Sequence, residues 1–444
     1  MAEKSSENSY LSPGKAWYLV FVLLVIYIIS FVDRQILSLL VKPIRAAMEI
    51  SDSQTGLLMG FGFALFYTLF GIPLGILADR MNRMLLIAVG LVLWSVMTAG
   101  CGLANSYYSL LFFRFGVGIG EAALSPAAYS MIADAFPARR LSTAISVYSM
   151  GVYLGSGLAM LFGGLIVKFA MTASGQEWPL LGHAQPWQLV FVVVGLAGLP
   201  LVLLLLTVRE PARHKASGGS TFAETIAYLR KHAAAFLLHS TGFGMLALVG
   251  YANMYWVPQF FLRLYKWEAP QTAWYYGIAI LIFGTVGIVA GGWLGDSFRS
   301  RGKAHGSMLT CLISAALALP FGIAYPLAGA AMLSMGLVAG LTFTTSLASG
   351  AAPSAIQQMM PPAMRGQASA LYLFIVNIFG MGIGPYAVGA LNTYVFGDEH
   401  IHHSLVVVSV TGCIGAMLLL ALGLRPFERA AREVDTLLSR AAGI

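Results

Sequence analysis

Two charged residues interrupt an apolar segment. The run from Tyr107 to Phe136 is long enough to cross a bilayer, yet it contains Arg114 and Glu121. At about 1.5 Å and 100° per residue, their spacing of seven places both side chains on one face of a helix, roughly 10 Å apart along its axis. A charged residue at the centre of a membrane helix costs about 2.5–3.5 kcal/mol on insertion scales, so such groups normally face a protein interior or a wet cavity. We therefore expect a carboxylate that can bind a proton, an arginine that can hold an anionic group, and partners from another segment.

Asp33 and Arg34 lie in the first apolar run, about seven residues before its outer end. Arg114 lies a similar distance after the outer start of its own run, so both positions fall about 10 Å below the outer surface. Asp33 is the expected counter-ion of Arg114 if the two helices touch. Glu121 falls nearer the midplane and is the expected main proton-binding group, with Asp33 as its partner. The alternative is a purely structural tie between helices.

The composition indicates a membrane protein. Of 444 residues, 58% are hydrophobic and 10% are charged, whereas a typical soluble domain has about 25% charged residues. Apolar runs of about 20 residues recur without alternation of period two, which predicts helices that satisfy their own backbone hydrogen bonds in lipid. The predicted fold class is an all-α membrane protein with twelve transmembrane helices. They fall near residues 16–40, 55–78, 84–105, 107–135, 141–168, 187–208, 234–262, 271–295, 306–325, 327–352, 366–395 and 404–424.

The net charge of +8 is explained by membrane orientation. With both termini in the cytoplasm, 19 Lys and Arg residues fall in inner segments and 5 in outer loops, as the positive-inside rule requires. We therefore predict no nucleic-acid partner. The polar leader before the first run has no cleavage site, which predicts a retained first helix. Three cysteines lie far apart inside predicted spans, so neither a disulfide framework nor a metal site is expected.

Two pairs of similar segments indicate an internal duplication. The run Gly75–Arg83 aligns with Gly291–Arg301 at an offset of 217, which places Asp79 on Asp296. The sequence PARR at 137–140 returns as PAMR at 362–365, at an offset of 225. Two pairs of similar segments that occur in the same order and at nearly the same offset predict two pseudo-symmetric six-helix bundles. The predicted domains are residues 1–208, a cytoplasmic linker with a short amphipathic helix at 209–233, and residues 234–444.

The repeated charged turns predict a latch on the cytoplasmic side. Exposed ion pairs contribute only about 1 kcal/mol each, so several would have to act together to hold the halves. The predicted latch residues are Asp79, Arg83, Asp134, Asp296 and Arg299.

The second half has no formal charge in its predicted membrane core. A cavity between the halves would then have charged side chains on one wall and apolar or uncharged polarisable side chains on the other. Such a cavity suits an amphiphilic molecule. The alternative is that these side chains serve ordinary packing. The polar and aromatic candidates for the second wall are Asn253, Tyr255, Trp256, Ser346 and Asn377.

At this point the chain resembles the major facilitator superfamily over nearly its whole length. The run GILADRMNR (75–83) resembles the family's signature loop between helices two and three, and LFFRFGVGIGEA (111–122) resembles its fourth-helix arginine motif. The fifth helix, GVYLGSGLAMLFGG (151–164), lacks the proline of the antiporter motif. Asp33-Arg34, the R-x-x-x-G-x-G-E-A run with Glu121, and GSGL in the fifth helix are most similar to the Spinster branch.

The Spinster resemblance implies a transporter of sphingolipid-like or lysophospholipid-like molecules, with proton-driven bacterial members. This resemblance implies functional roles only for Asp33, Arg34, Arg114 and Glu121, since only these residues match the Spinster motifs position by position. Arg34 and Arg114 would be charge partners of the substrate. We therefore expect a monomeric, proton-coupled transporter with alternating access, several spans in the plasma (inner) membrane, and no cofactor.

Other functions remain open at this stage. A small amphiphilic drug or an organic anion would suit the same kind of cavity. A receptor or scaffold without transport activity would not explain the duplicated halves. An intramembrane enzyme would need a nucleophile and base or a metal cluster, and the chain has no helical His-x-x-x-His. We therefore expect no catalytic residues and no metal.

Overall fold

The computed structural model describes residues 11–136, 144–145, 147–172, 177–178, 182–213, 221–361 and 364–441. Within this part of the chain, twelve helical segments are long and apolar enough to cross a membrane, which confirms the predicted fold class. The cytoplasmic position of the termini stays a prediction. The twelve segments, α1 to α12, are Pro13–Met48, Asp52–Ala78, Arg83–Cys101, Tyr107–Ala135, Val147–Phe169, Pro186–Leu206, Ala233–Leu264, Ala269–Ser300, Gly306–Ala324, Ala331–Met359, Arg365–Phe396 and Asp398–Leu437.

The chain divides into two compact units. The first comprises Met1–Lys215 with Lys266–Leu281, and the second comprises Ala216–Tyr265 with Ile282–Ile444. The predicted domain boundaries at 208 and 234 stay a prediction. In the first unit, the loop between α5 and α6 contains a short antiparallel pair of strands, Glu177–Trp178 and Gly182–His183.

The linker contains a helix from Phe222 to Lys231, which belongs to the second unit. Thr221 caps its start, because the Glu224 amide donates to the Thr221 hydroxyl and the Thr221 amide donates to the Glu224 carboxylate. This reciprocal capping box satisfies two backbone N–H groups that a helix start leaves unpaired.

Small residues let α5 pack closely on α1. Gly151, Gly155, Ala159 and Gly163 recur every four residues, so they form one stripe on α5. A Cβ atom at Gly155 would lie 2.9 Å from the Phe31 Cβ of α1. Helices in lipid associate largely through such close backbone approach. This stripe of α5 therefore packs on α1, the helix that contains Asp33 and Arg34, whereas Gly157 and Gly164 face α8.

The helix α4 is broken at its centre. Its first part ends at Glu121 and its second part runs from Leu124 to Ala135, with a turn at Ala122 and Ala123 between them. Pro126 has no N–H to donate to the carbonyl four residues earlier, which explains a break at this place. Glu121 thus lies at the end of a helical segment, in the interior of the first unit.

Candidate functional site

Glycines of α4 allow this helix to lie close to its neighbours. A Cβ atom at Gly118 would lie 2.8 Å from the Phe63 carbonyl oxygen of α2. One at Gly120 would lie 2.7 Å from the Trp94 amide nitrogen and 2.8 Å from the Gly90 carbonyl oxygen of α3. These neighbours are backbone atoms, so side chains at either glycine would push the helices apart. The glycines of the R-x-x-x-G-x-G-E run therefore position the charged residues beside them.

Arg34 and Glu121 form a buried ion pair between α1 and α4. The Arg34 Nη2 atom lies 2.5 Å from Glu121 Oε2, and Arg34 Nε donates to the same oxygen at 2.6 Å. Only 4% of Arg34 and 1% of Glu121 is exposed. Two charge-assisted hydrogen bonds offset part of the cost of burying both groups. In the part of the chain that the structure describes, Glu121 Oε1 accepts no hydrogen bond.

Asp33 and Arg114 lie next to this pair but do not form the expected ion pair. Arg114 Nη1 donates to the main-chain carbonyl oxygen of Asp33 at 3.3 Å. The Asp33 carboxylate instead accepts a hydrogen bond from the Thr98 hydroxyl at 3.2 Å. Among the described residues, no carboxylate oxygen lies within 4.0 Å of the Arg114 guanidinium. The Asp33–Arg114 ion pair is thus not formed in this conformation, because Arg114 reaches the backbone of Asp33 rather than its side chain.

Aromatic rings surround the Arg34 guanidinium. Its Cζ atom lies 4.8 Å from the ring centroids of both Phe31 and Phe63 and 4.9 Å from that of Tyr67. The Arg114 Cζ atom lies 5.4 Å from the Phe63 centroid, so both arginines face one ring. Cations are attracted to the negative faces of such rings, most strongly where water is excluded. Sequence reasoning missed these three rings around Arg34, because phenylalanine and tyrosine are common in membrane helices.

Several polar atoms of the cluster keep unused hydrogen-bonding capacity. Buried polar groups are normally satisfied by protein or ordered water, so exceptions require an explanation. A proton, a water molecule or a polar group of a ligand would satisfy them. Gln35 is a further buried residue of this kind that sequence reasoning missed. The described atoms without a hydrogen-bond partner here are Asp33 Oδ1, Gln35 Nε2 and Oε1, Arg114 Nε and Nη2, and Glu121 Oε1.

Most of the second-half candidates are buried in the second unit. Tyr325 donates its hydroxyl hydrogen bond to the Asn253 Oδ1 atom, and Asn253 Nδ2 donates to the Val249 carbonyl at 2.8 Å. Trp256 Nε1 donates to the Pro385 carbonyl oxygen at 2.8 Å. These bonds satisfy the side chains inside the packed helices.

The remaining three candidates differ in burial. Tyr255 is buried. Ser346 is also buried and donates to the Thr342 carbonyl oxygen at 2.6 Å within its own helix. Asn377 is half-buried. The role of all five second-half candidates in a substrate cavity stays a prediction.

Arg83 organises the charged turn of the first unit. It is 1% exposed and donates to the Asp134 carboxylate and to Ser130 Oγ. It also contacts the start of the linker, since Nε donates to Glu210 Oε1 at 3.0 Å and Nη2 donates to the Pro211 carbonyl at 2.8 Å. Asp134 is one of the predicted latch residues, whereas sequence reasoning missed Glu210. All these partners belong to the first unit.

The corresponding turn of the second unit uses a different partner. Arg299 Nη2 donates to Asp435 Oδ1 at 2.7 Å, and Asp296 is exposed. The side chain of Asp79 and the predicted repeat segment 137–140 lie outside the described residues. The latch between the halves therefore stays a prediction.

Metal chemistry has no support from the described side chains. Across the ranges given above, no group of three or more His, Cys, Asp or Glu residues is arranged to hold a metal ion. The site consists of two carboxylates and two arginines. The carboxylates can exchange protons, and the arginines can bind anionic groups.

Comparisons with known proteins agree with this architecture. The sequence profile of the Major Facilitator Superfamily matches residues 23–385. An MFS-type efflux pump of Mycolicibacterium smegmatis is 30% identical over 400 residues, which cover 87% of this chain and 86% of the pump. Protein spinster homolog 3 of Danio rerio is 26% identical over 412 residues, which cover 87% of this chain and 78% of the homolog.

A solved structure is similar over nearly the whole chain. It is a bacterial homolog of the human lysosomal transporter Spinster in an inward-facing, unoccupied conformation, with a TM-score of 0.76 and 28% sequence identity. The match covers 96% of this chain and 99% of that protein. The resemblance seen in the sequence motifs is thereby confirmed, and the chain belongs to the Major Facilitator Superfamily as a multi-pass membrane protein similar to its Spinster members.

Proposed function

We propose that the chain is a proton-coupled secondary active transporter of an amphiphilic, lysolipid-like or sphingolipid-like substrate. It works by alternating access as a monomer in the plasma membrane, with its substrate site near the bilayer midplane. The observation that carries the proposal is the buried Arg34–Glu121 pair beside Asp33 and Arg114. Intramembrane ionisable groups mark substrate pathways and proton relays. A contact that only holds helices together would satisfy both carboxylates, whereas Asp33 Oδ1 and Glu121 Oε1 accept no hydrogen bond from any described residue.

Proton coupling is assigned to Glu121, with Asp33 as its partner. Protonation of Glu121 removes its charge and weakens its attraction to Arg34, so Arg34 gains freedom to interact elsewhere. Among the described side chains, the Asp33 carboxylate accepts one hydrogen bond, from the neutral Thr98 hydroxyl. A change in the protonation of either carboxylate therefore alters the charge balance around both arginines.

The substrate class is supported by the chemistry of the first unit and by the names of relatives. Two guanidinium groups suit an anionic head group, and the rings of Phe31, Phe63 and Tyr67 suit apolar or cationic parts of the same molecule. Several relatives are named spinster. A relative named as an efflux pump supports a second candidate, the export of a small amphiphilic drug or organic anion.

Transport into proteoliposomes tests the proposal. Purified protein is reconstituted, a pH gradient is imposed, and uptake of radiolabelled lysophosphatidylcholine, sphingosine, an organic anion and a hydrophilic sugar is compared. We expect gradient-dependent movement of the lysolipid or sphingosine, and its loss in Glu121→Gln. Glu399→Gln is the matched control, because Glu399 is an exposed carboxylate. Movement of the sugar or the organic anion alone would refute the lipid substrate, and failure to move any solute would favour a receptor or an enzyme.

A further inference from the structure

The last helix continues well beyond the membrane. After a short turn at Asp398–His400, its α-helical part runs from Ile401 to Ala441 and includes Pro426. The apolar stretch 404–424 has 21 residues, which span about 31 Å and so match the roughly 30 Å hydrocarbon core. Residues after Leu424 therefore lie in the head-group region and the adjoining water.

This extension separates its charges around the helix axis. Phe427, Ala430, Ala431 and Val434 are buried against the second unit. The arginine stripe, which consists of Arg425, Arg429 and Arg432, is exposed on the opposite side. At about 100° per residue, the stripe falls within an arc of about 80° together with Leu418 and Leu422. These leucines are 60% and 67% exposed, as expected for residues that face lipid.

Two acidic residues of the extension, Glu433 and Asp435, bind basic residues elsewhere in the second unit. Glu433 binds Lys231 of the linker helix at 2.5 Å. Asp435 binds Arg299 at 2.7 Å. These carboxylates attach the extension to other parts of the second unit, so they are not free to neutralise the stripe.

Within the described part of the chain, Arg432 has a carboxylate partner, whereas Arg425 and Arg429 have none. Glu428 pairs with Arg432 at 2.6 Å and lies 3.3 Å from His305. Among the residues that the structure describes, no carboxylate lies within 4.0 Å of Arg425 or Arg429. By helical rise, Arg425 lies about 1.5 Å and Arg429 about 7.5 Å beyond Leu424, the last residue of the apolar stretch. The phosphate layer occupies this depth, because head groups add roughly 5–8 Å on each side of the hydrocarbon.

We propose that the arginine stripe binds the phosphate of an anionic phospholipid in the leaflet where α12 emerges. The lipid tails would lie on Leu418 and Leu422, and the phosphate would accept hydrogen bonds from Arg425 and Arg429. Guanidinium groups match phosphate oxygens in charge and geometry. This lipid is a boundary lipid on the outer face of the second unit, distinct from any transported molecule.

Native mass spectrometry with lipid titration tests the proposal. The purified protein is titrated with dioleoylphosphatidylglycerol or with dioleoylphosphatidylcholine, and the first binding constant is measured for each. A basic residue near an anionic membrane surface contributes a factor of about five to binding. We therefore expect the Arg425→Gln/Arg429→Gln variant to bind phosphatidylglycerol about 25-fold more weakly. The phosphate of phosphatidylcholine is offset by its own choline cation, so binding of this lipid should weaken much less.

Arg230→Gln is the matched control, because Arg230 is exposed on the linker helix and outside the stripe. It should bind phosphatidylglycerol as the parent does. Equal binding of this lipid by the parent and the double variant would overturn the proposal, as would an equal loss in Arg230→Gln. Millimolar inorganic phosphate should not displace the lipid, and displacement would indicate a free-phosphate site instead. The substituted residues are exposed, so an unchanged unfolding temperature should show that the variants are folded.

Discussion

Arg34 Nη2 and Glu121 Oε2 lie 2.5 Å apart, although the two residues are 87 positions apart in the chain. The pair joins α1 to the break in α4. It also determines the neighbours of both residues, since Asp33 precedes Arg34 on the chain and Arg114 lies two helical turns before Glu121. The position of one ion pair therefore affects all four charges of the site.

Apolar replacement of one member of this pair should destabilise the protein strongly, because it leaves the other charge buried with no hydrogen-bonding group in the partner's place. In Arg34→Met, the Glu121 carboxylate remains buried without its counter-ion, and such changes cost about 3–5 kcal/mol. Arg34→Met/Glu121→Met removes both charges and should recover most of that loss. The measurement is the midpoint of thermal unfolding of the parent, both single variants and the double variant in detergent at neutral pH. If the losses simply add in the double variant, the pair contributes no coupling to stability.

The sequence predicted the twelve spans correctly, but it did not predict the Arg34–Glu121 ion pair. Runs of about 20 apolar residues gave the twelve spans, because length and hydropathy are local properties. Depth below the surface was also estimated from the sequence, and it favoured Asp33 as partner of Arg114. Rotation of each helix about its axis decides which side chains meet, and that rotation depends on close contacts such as Gly118 with the Phe63 backbone. Such contacts join distant segments and leave no local signal.

The contribution of α2 to the site was missed for a related reason. Phe63 and Tyr67 lie four residues apart in an apolar run that contains several other aromatic residues. Only the folded structure shows that these two rings face Arg34. Glu210 was likewise missed as a partner of Arg83, because the two residues are 127 positions apart in the chain.

Substitution of Gly120 should disturb the packing of α4 on α3. A Cβ atom there would lie 2.7 Å from one backbone atom and 2.8 Å from another, so a helix has to move. Overpacking of this kind typically costs about 1–3 kcal/mol. The control is Gly71→Ala in α2, where no atom lies within 4 Å of the added Cβ. We expect Gly120→Ala to lower the midpoint of thermal unfolding and Gly71→Ala to leave it unchanged or raise it, since alanine reduces the entropy of the unfolded chain. Equal midpoints for the two variants would contradict this account of the motif.

Arg83 should be required for the attachment of the linker to the first unit. In Arg83→Lys, a single ammonium group replaces the planar fork that reaches Asp134, Glu210 and the Pro211 carbonyl. We expect a loss of about 1–3 kcal/mol, because at least one buried partner is left unsatisfied. Proteolysis should also cut the 209–220 segment faster. The neighbouring Arg80 is exposed, so Arg80→Lys should behave as the parent does. Equal cleavage rates in the two variants would show that Arg83 does not hold the linker.

Asp33 and Arg114 should be coupled in transport even though their side chains form no ion pair in this conformation. Arg114 contacts the main chain of Asp33, and alternating access requires at least one further arrangement of the helices. A cycle of Asp33→Asn, Arg114→Ala and the double variant should therefore show a non-additive loss of substrate transport. A second experiment places cysteines at positions 33 and 114 and treats the protein with a short cross-linking reagent. Additive losses in the cycle, together with no cross-link in any condition, would rule out the pairing.

Glu121→Gln should remove the pH dependence of the conformational equilibrium. By linkage, the conformation that binds the Glu121 proton more tightly gains population as the pH falls. Glutamine is neutral and nearly isosteric, so it mimics permanent protonation, and it retains an oxygen that can accept a hydrogen bond from Arg34. The variant should stay folded, with its equilibrium fixed near the low-pH position of the parent.

Distances between spin labels at the helix ends measure this equilibrium from about pH 8 to about pH 4, the range in which carboxylates titrate in proteins. The parent should change its distance distribution across this range, as should the exposed control Glu399→Gln. In Glu121→Gln the distribution should be constant. If this variant instead switches with the midpoint and amplitude of the parent, Glu121 serves only as a structural partner of Arg34. The coupling proton would then reside on another group, and Asp33→Asn is the next variant to measure, because its carboxylate is buried and accepts only the Thr98 hydrogen bond among the described residues.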